Sequence, residues 1–258
     1  MIYYVVDAFT KEHYHGNPAG ICLLDEWLND TVLQGIAFEN NLAETAFLVK
    51  RDGYYDLRWF TPEVEIDLCG HATLGSAYVL MNYVDTEADH IEFHTKSGVL
   101  SVSRMEDLYT MDFPSRKPVP CVAPALLEEA LGVKVLETHA SRDLLILLES
   151  EEAVTSLEPD YALLKKITEY FGYIATAKGK DCDFVSRFFA PGAGIVEDPV
   201  TGSSHTTLIP FWSERLNKTE MVARQLSKRG GTLHCRNCGE RVKIAGNAVT
   251  HLIGEIVL

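Results

Sequence analysis

One pattern is written twice along this chain. Arg58-Trp59-Phe60-Thr61-Pro62, followed by Ile66 and Cys69-Gly70-His71-Ala72, returns as Arg187-Phe188-Phe189-Ala190-Pro191, followed by Ile195 and Thr201-Gly202-Ser203-Ser204. The two arginines are 129 positions apart, half of the 258 residues, and a three-residue insertion in the second copy brings Gly70 into register with Gly202. Upstream, Glu44-Thr45-Ala46 answers to Ala175-Thr176-Ala177. A chain built this way is expected to fold as two similar halves with a cleft between them, and chemistry is expected where the copies differ.

Periodicity fills in the halves. Ile2 to Asp7, Gly20 to Leu24, Ala46 to Lys50 and Tyr55 to Phe60 are β-rich runs, and Thr31 to Asn41 has helical apolar spacing with Asn29 or Asp30 as N-cap. Gly70 to Tyr83 is almost wholly apolar, as a helix buried on every side would be. After His90 the chain alternates like antiparallel strands, and Pro114, Pro118, Pro120 and Pro124 mark a linker. The second half repeats the order: strand at Leu144 to Leu148, helix at Tyr161 to Phe171, strands at Ile174 to Ala177 and Phe184 to Phe189, and a buried helix from Gly202 to about Leu216. The expected class is α+β, with domains at 1–115 and 116–258 and the last strand returning to the first half.

Charge narrows the partners. With 23 Lys and Arg against 37 Asp and Glu the formal charge is −14, which repels nucleic acid and anionic membrane surfaces. The start has no secretory leader and no run reaches membrane-spanning length, so a cytoplasmic protein is expected, with its six cysteines reduced. A homodimer is compatible with the sequence but has no signature in it. Cys235-Arg236-Asn237-Cys238 is half of a zinc knuckle without a second C-x-x-C, and reads as two strand-turn thiols.

Both apolar helices open on a small-residue turn, at Gly70 and at Gly202, where unpaired N–H groups and the positive helix end suit a small carboxylate. Close helix-to-sheet packing explains either glycine alone; recurrence favours binding. Glu44, at the entry to an apolar strand, would be partly desolvated, which raises a carboxyl toward the range useful in acid/base catalysis; a solvent-facing cap is the alternative. Asp198 lies in the insertion ahead of Gly202, as an N-cap or as a functional acid. His71 is a core histidine unless it pairs with these acids.

Asp7-Ala8-Phe9, Gly16-Asn17-Pro18-Ala19-Gly20, Glu44-Thr45-Ala46-Phe47, Phe60-Thr61-Pro62, Cys69-Gly70-His71-Ala72-Thr73 and Gly194 to Ser203 together resemble the phenazine biosynthesis PhzF-like family. The resemblance covers nearly the whole chain. It implies the diaminopimelate epimerase and proline racemase fold: two domains, each a mostly antiparallel sheet curled round a central helix, with the active site in the cleft between them and no cofactor or metal. It further implies a cofactor-independent isomerase that moves a proton on a small carboxylate-bearing substrate. Glu44 would be the proton shuttle with His71 and Asp198 as catalytic partners, and Asn17, Gly70, Ala72, Gly202 and Ser203 would bind substrate. Two-thiol racemases of this superfamily carry cysteines in both turns; here Cys69 faces Thr201 across the repeat. The alternatives are a racemase or epimerase using Cys69 with another partner, and a non-catalytic small-acid binding protein. Where the family often has serine before the glutamate, this chain has Ala43.

Overall fold

Strand Ile2–Ala8 is the hub of the first sheet in the computed structural model, which describes residues 1–258. It pairs antiparallel with Asn17–Leu24 on one side and with the C-terminal strand Ala248–Glu255 on the other. Asn17–Leu24 runs parallel to Glu44–Lys50, which continues antiparallel into Tyr55–Phe60; the hairpin strands His90–Thr95 and Gly98–Met105 follow. Against this sheet lies the first central helix, Gly70–Val79, buried along nearly its whole length. It touches strands Ile2–Ala8, Asn17–Leu24 and Glu44–Lys50. Its small residues permit that enclosure: Gly75 sits where even a Cβ would be in van der Waals contact with Val6 and Ile21, both at 3.6 Å. The helical run expected to reach Tyr83 does so, but its end, Leu80–Val84, widens to a π-turn closed by Asp85 N–H donating to Leu80 O at 2.7 Å. The first surface helix is Asp30–Asn40, capped by the Asn29 side chain.

The second sheet repeats the plan. Glu137–Ala140 and Leu144–Leu147 are antiparallel, Leu144–Leu147 runs parallel to Tyr173–Lys178, and Phe184–Ala190 follows antiparallel. Glu220–Gln225 adds in parallel and Gly231–Asn237 antiparallel. The second central helix is Gly202–Leu216. Trp212 on it stacks on Phe184 at 5.8 Å and donates from its indole N–H to Thr176 Oγ1 at 3.0 Å, so even the large polar-tipped core residue is satisfied. Pro210 lies inside this helix and removes the N–H that would bond the Thr206 carbonyl. The backbone N–H of Arg116 fills that vacancy at 2.9 Å.

Contacts divide the chain into two compact units, Met1–Asp112 with Ala245–Leu258, and Phe113–Ile244. Each is an α+β layer of mostly antiparallel sheet around one buried helix, the class expected. One expectation needs correction. The helix expected over Tyr161 to Phe171 is a single turn, Tyr161–Leu164. The Tyr173 hydroxyl donates to Leu164 O at 3.1 Å and to Ile167 O at 2.5 Å, so carbonyls that a longer helix would use internally are occupied from the next strand. Two short helices, Leu127–Leu131 and Glu151–Thr155, had no signal in the apolar spacing.

Candidate functional site

In the first unit the chain turns sharply into Asn17, the first residue of its strand. Gly16 makes that turn at φ 68°, with Ala8 O only 2.2 Å from where a Cβ would stand, so no other residue fits there. Glu44 opens the neighbouring strand, two positions up the parallel register, opposite Ala19. His71 projects from the first turn of the first central helix. These three residues, together with Cys69, form one cluster. The Glu44 Oε2 atom stands 3.0 Å from His71 Nε2, at ion-pair distance without full hydrogen-bond alignment. Asn17 Nδ2 lies 3.2 Å from His71 Nδ1, and Cys69 Sγ 3.5 Å from the same nitrogen. Asn17 is fully buried, His71 is 5 % exposed and Glu44 9 % exposed.

The electrostatics follow from that packing. Burial works against a charged imidazole, but the Cys69 sulfur and the Glu44 carboxylate outweigh it and hold His71 well above its ordinary value. The Cys69 thiol is pushed up to about 11, first by burial and then by the Glu44 charge, against which His71 pulls down. Near neutrality the sulfur is therefore a thiol, and the Glu44 carboxylate is the group that sustains the imidazolium. An amide is a suitable brace for Nδ1, since its nitrogen donates to the neutral ring and its oxygen accepts from the charged one. The donor atoms of Glu44, Cys69 and His71 lie within 4.8 Å of one another, a set whose types would also suit a metal ion, with three ligands where a closed structural zinc site has four.

In the second unit Asp198 ends strand Ile195–Asp198 and Thr201 precedes the second central helix. Thr201 spends its hydroxyl on Asp198 Oδ2 at 2.6 Å instead of capping the helix. Gln225, fully buried, ties the turn together: Nε2 donates to Asp198 O at 2.7 Å and to Thr201 Oγ1 at 3.1 Å, and Oε1 accepts from Thr201 N–H at 2.9 Å. Neither central helix has a side-chain cap at its start, so Gly70, Ala72, Gly202 and Ser203 sit at helix N-termini without one. Gln225 escaped the sequence reading because nothing in a strand 24 residues downstream points back to Asp198 and Thr201.

His205, also unanticipated, is fully buried one turn into the same helix. Its Nδ1–H donates to Thr201 O at 2.8 Å, and Nε2 has no partner. Burial pushes it down to about 4, with the carbonyl bond pulling weakly the other way. Unfolded, the ring titrates near 6.5, so between these values the unfolded chain binds the proton and the folded one does not; stability falls as the pH drops below 6.5. The loss amounts to about 2 kcal/mol at pH 5 relative to pH 8. Denaturant unfolding at both values should show it as a difference between wild type and His205→Gln; parallel losses in the two proteins would refute it.

Strand register corrects the counterpart of Glu44. Thr45 pairs with Gly20 and Phe60, and Tyr173 pairs with Leu144 and Phe189. Thr45 therefore answers to Tyr173, and Glu44 to Gly172, not to Ala175. A side chain at Gly172 would meet the Phe188 ring at 2.4 Å, so this copy has no room for an acid. The same register sets Asn17 against Ser141, while the helix starts set His71 against Ser203.

Two α+β units, each wound round a buried helix whose uncapped start adjoins polar side chains, define a protein of the racemase and epimerase fold. A protein named as a probable proline racemase, from Agrobacterium radiobacter and solved with bound carbonate, shares that fold, at a TM-score of 0.64 and 9% identity over 100% of this chain and 93% of its own. The model of the phenazine biosynthesis-like proteins matches residues 6–254, and the chain belongs to that family. A Pseudomonas aeruginosa protein named as an isomerase is 49% identical over 98% of this chain and 97% of its own. The crystal structure of a PhzF-family protein from Enterococcus faecalis superposes with a TM-score of 0.98 at 48% identity, covering 100% and 99% of the two chains. No helix is long and apolar enough to cross a membrane.

Proposed function

We propose that this protein is an isomerase that shifts a proton on a small carboxylate-bearing substrate, with Glu44 as the general acid/base. The observation that carries the reading is the buried Glu44–His71 contact at 3.0 Å, braced from behind by Asn17. A carboxylate that removes a proton and redelivers it must be shielded from water yet keep its charge stabilised, and an imidazolium fixed on one side of it does both. The kinship with proteins named as isomerases supports the same class. Asp198, held by Thr201 and Gln225, is proposed as the second acid/base group, and the helix starts at Gly70 with Ala72 and at Gly202 with Ser203 as binders of the substrate carboxylate. No metal or organic cofactor takes part in this chemistry.

The test is incorporation of solvent deuterium into a panel of small unsaturated and cyclic acids, followed by mass spectrometry. One deuteron should enter the true substrate, and exchange should persist after dialysis against EDTA and in Cys69→Ser. Loss of exchange in Cys69→Ser would transfer the role to the thiol and make the protein a cysteine-dependent racemase or epimerase. That outcome is disfavoured by the thiol's raised pKa of about 11 and by Thr201 in the matching turn. For the same reason iodoacetamide at pH 8 should label Cys69 about 10²-fold more slowly than a free thiol, as read by peptide mass spectrometry; labelling at the free-thiol rate would contradict the burial argument.

A further inference from the structure

The register that matches Glu44 with Gly172 also shows what the second copy holds in place of an acid. Pro18, next to Asn17, answers to Arg142, next to Ser141. Arg142 reaches the first turn of the second central helix, with Nη2 3.3 Å from Ser203 Oγ. Its guanidinium is fixed from two further sides. Nε and Nη2 donate to the two carboxylate oxygens of fully buried Asp143 at 3.2 and 2.9 Å, and its plane lies over the Phe171 ring at 4.6 Å.

A second arginine, Arg116, is anchored on the same helix by an independent route. The backbone of Arg116 is bound to the Thr206 carbonyl that Pro210 leaves open, so the residue is fixed alongside this helix. Its side chain is partly buried, and Nη1 is shut off from water with no hydrogen-bond partner. Burial and then repulsion from Arg142 push it below its ordinary value, with Asp143 opposing. Asp143 is engaged by Arg142, and Arg116 has no carboxylate partner of its own. A desolvated donor without an acceptor is costly, the more so when charged. In a chain of formal charge −14, a surplus of positive charge beside Ser203 is what a bound anion would neutralise.

We propose that Arg116 and Arg142 form a subsite for a second anionic group on the substrate, which makes the substrate a dicarboxylate or an equivalent dianion. This rests on the reading of Gly202 and Ser203 as carboxylate binders. The first copy, with the Glu44 cluster, carries Pro18 at the matching position; recognition of added charge belongs to the second copy alone, beside its acid Asp198.

Calorimetric titration with maleate and with its monoamide maleamate isolates the second charge at nearly constant shape. Wild-type protein should bind maleate at least tenfold more tightly, about 1.4 kcal/mol. Arg116→Gln keeps the backbone bond to Thr206 and should reduce the preference to under about twofold while leaving maleamate binding unchanged. Arg142→Gln combined with Asp143→Asn, which avoids stranding a buried charge, should do the same. Glu44→Gln should retain the full preference, so that failure of the proton-transfer reading and failure of the subsite are separate results. Equal affinities for the two ligands in wild type, or a preference undiminished in Arg116→Gln, would overturn the proposal.

Discussion

Replacing Glu44 by glutamine should lower solvent-deuterium exchange into the substrate by about 10²–10⁴-fold, the usual contribution of a positioned general acid/base. Binding should change little, because the amide has the shape of the carboxylate and neither helix start is touched. The substitution also has a signature in the resting protein. His71 is held above its ordinary value against the cost of burial, and near neutral pH the Glu44 charge is what sustains it, since Cys69 is still a thiol. With that charge removed, burial prevails and the imidazole should lose its proton at a markedly lower pH, visible in its NMR titration. In linkage terms, the raised His71 value stabilises the wild type below about pH 6.5, a contribution lost as the pH climbs through the folded value; Glu44→Gln should lack that part of the profile. Exchange at the wild-type rate would exclude Glu44 as the base, and an unaltered His71 titration would exclude the ion pair.

The duplication was legible because it is written in contiguous residues: Arg58-Trp59-Phe60 and Arg187-Phe188-Phe189 can be matched by eye, and the apolar helices announce themselves by composition. Residues that meet only through strand register were harder to read. Glu44 and His71 each stand out in the sequence, but their 3.0 Å contact depends on a parallel pairing and on a helix start at Gly70, 26 residues on. Matching Glu44-Thr45-Ala46 to Ala175-Thr176-Ala177 relied on a short string, whereas cross-strand partners displaced the match by three residues to Gly172. The place of Arg116 is hinted at only indirectly. A proline inside the run Gly202 to Leu216 frees a carbonyl, and a buried carbonyl must find a donor from elsewhere.

Arg187→Met should destabilise the protein by about 3–5 kcal/mol in denaturant unfolding, the cost of removing one partner from a buried ion pair. Arg187 is 8 % exposed, and it holds Glu197 through Nε at 2.7 Å and Nη2 at 3.0 Å. Its Nη1 donates to the Leu157 carbonyl at 2.7 Å and, more distantly, to those of Val154 and Thr155. Methionine would fill much of the volume but satisfy none of these acceptors. Arg58 occupies the matching position and grips Glu65 in the same bidentate way, at 2.7 and 2.8 Å. The outcome there should differ, because Lys96 also reaches Glu65 at 2.5 Å and the other partner of Arg58, Asp30, is largely solvent-exposed. Arg58→Met should therefore cost less, about 1–2 kcal/mol, since Glu65 keeps a cation in Lys96 and Asp30 is left in water. Adding Glu197→Leu to Arg187→Met should recover part of the loss, as the stranded charge is then gone. Equal costs at the two arginines would mean that Lys96 gives Glu65 no relief, and no recovery in the double variant would place the energy in the carbonyl contacts of Arg187 instead of its pairing with Glu197.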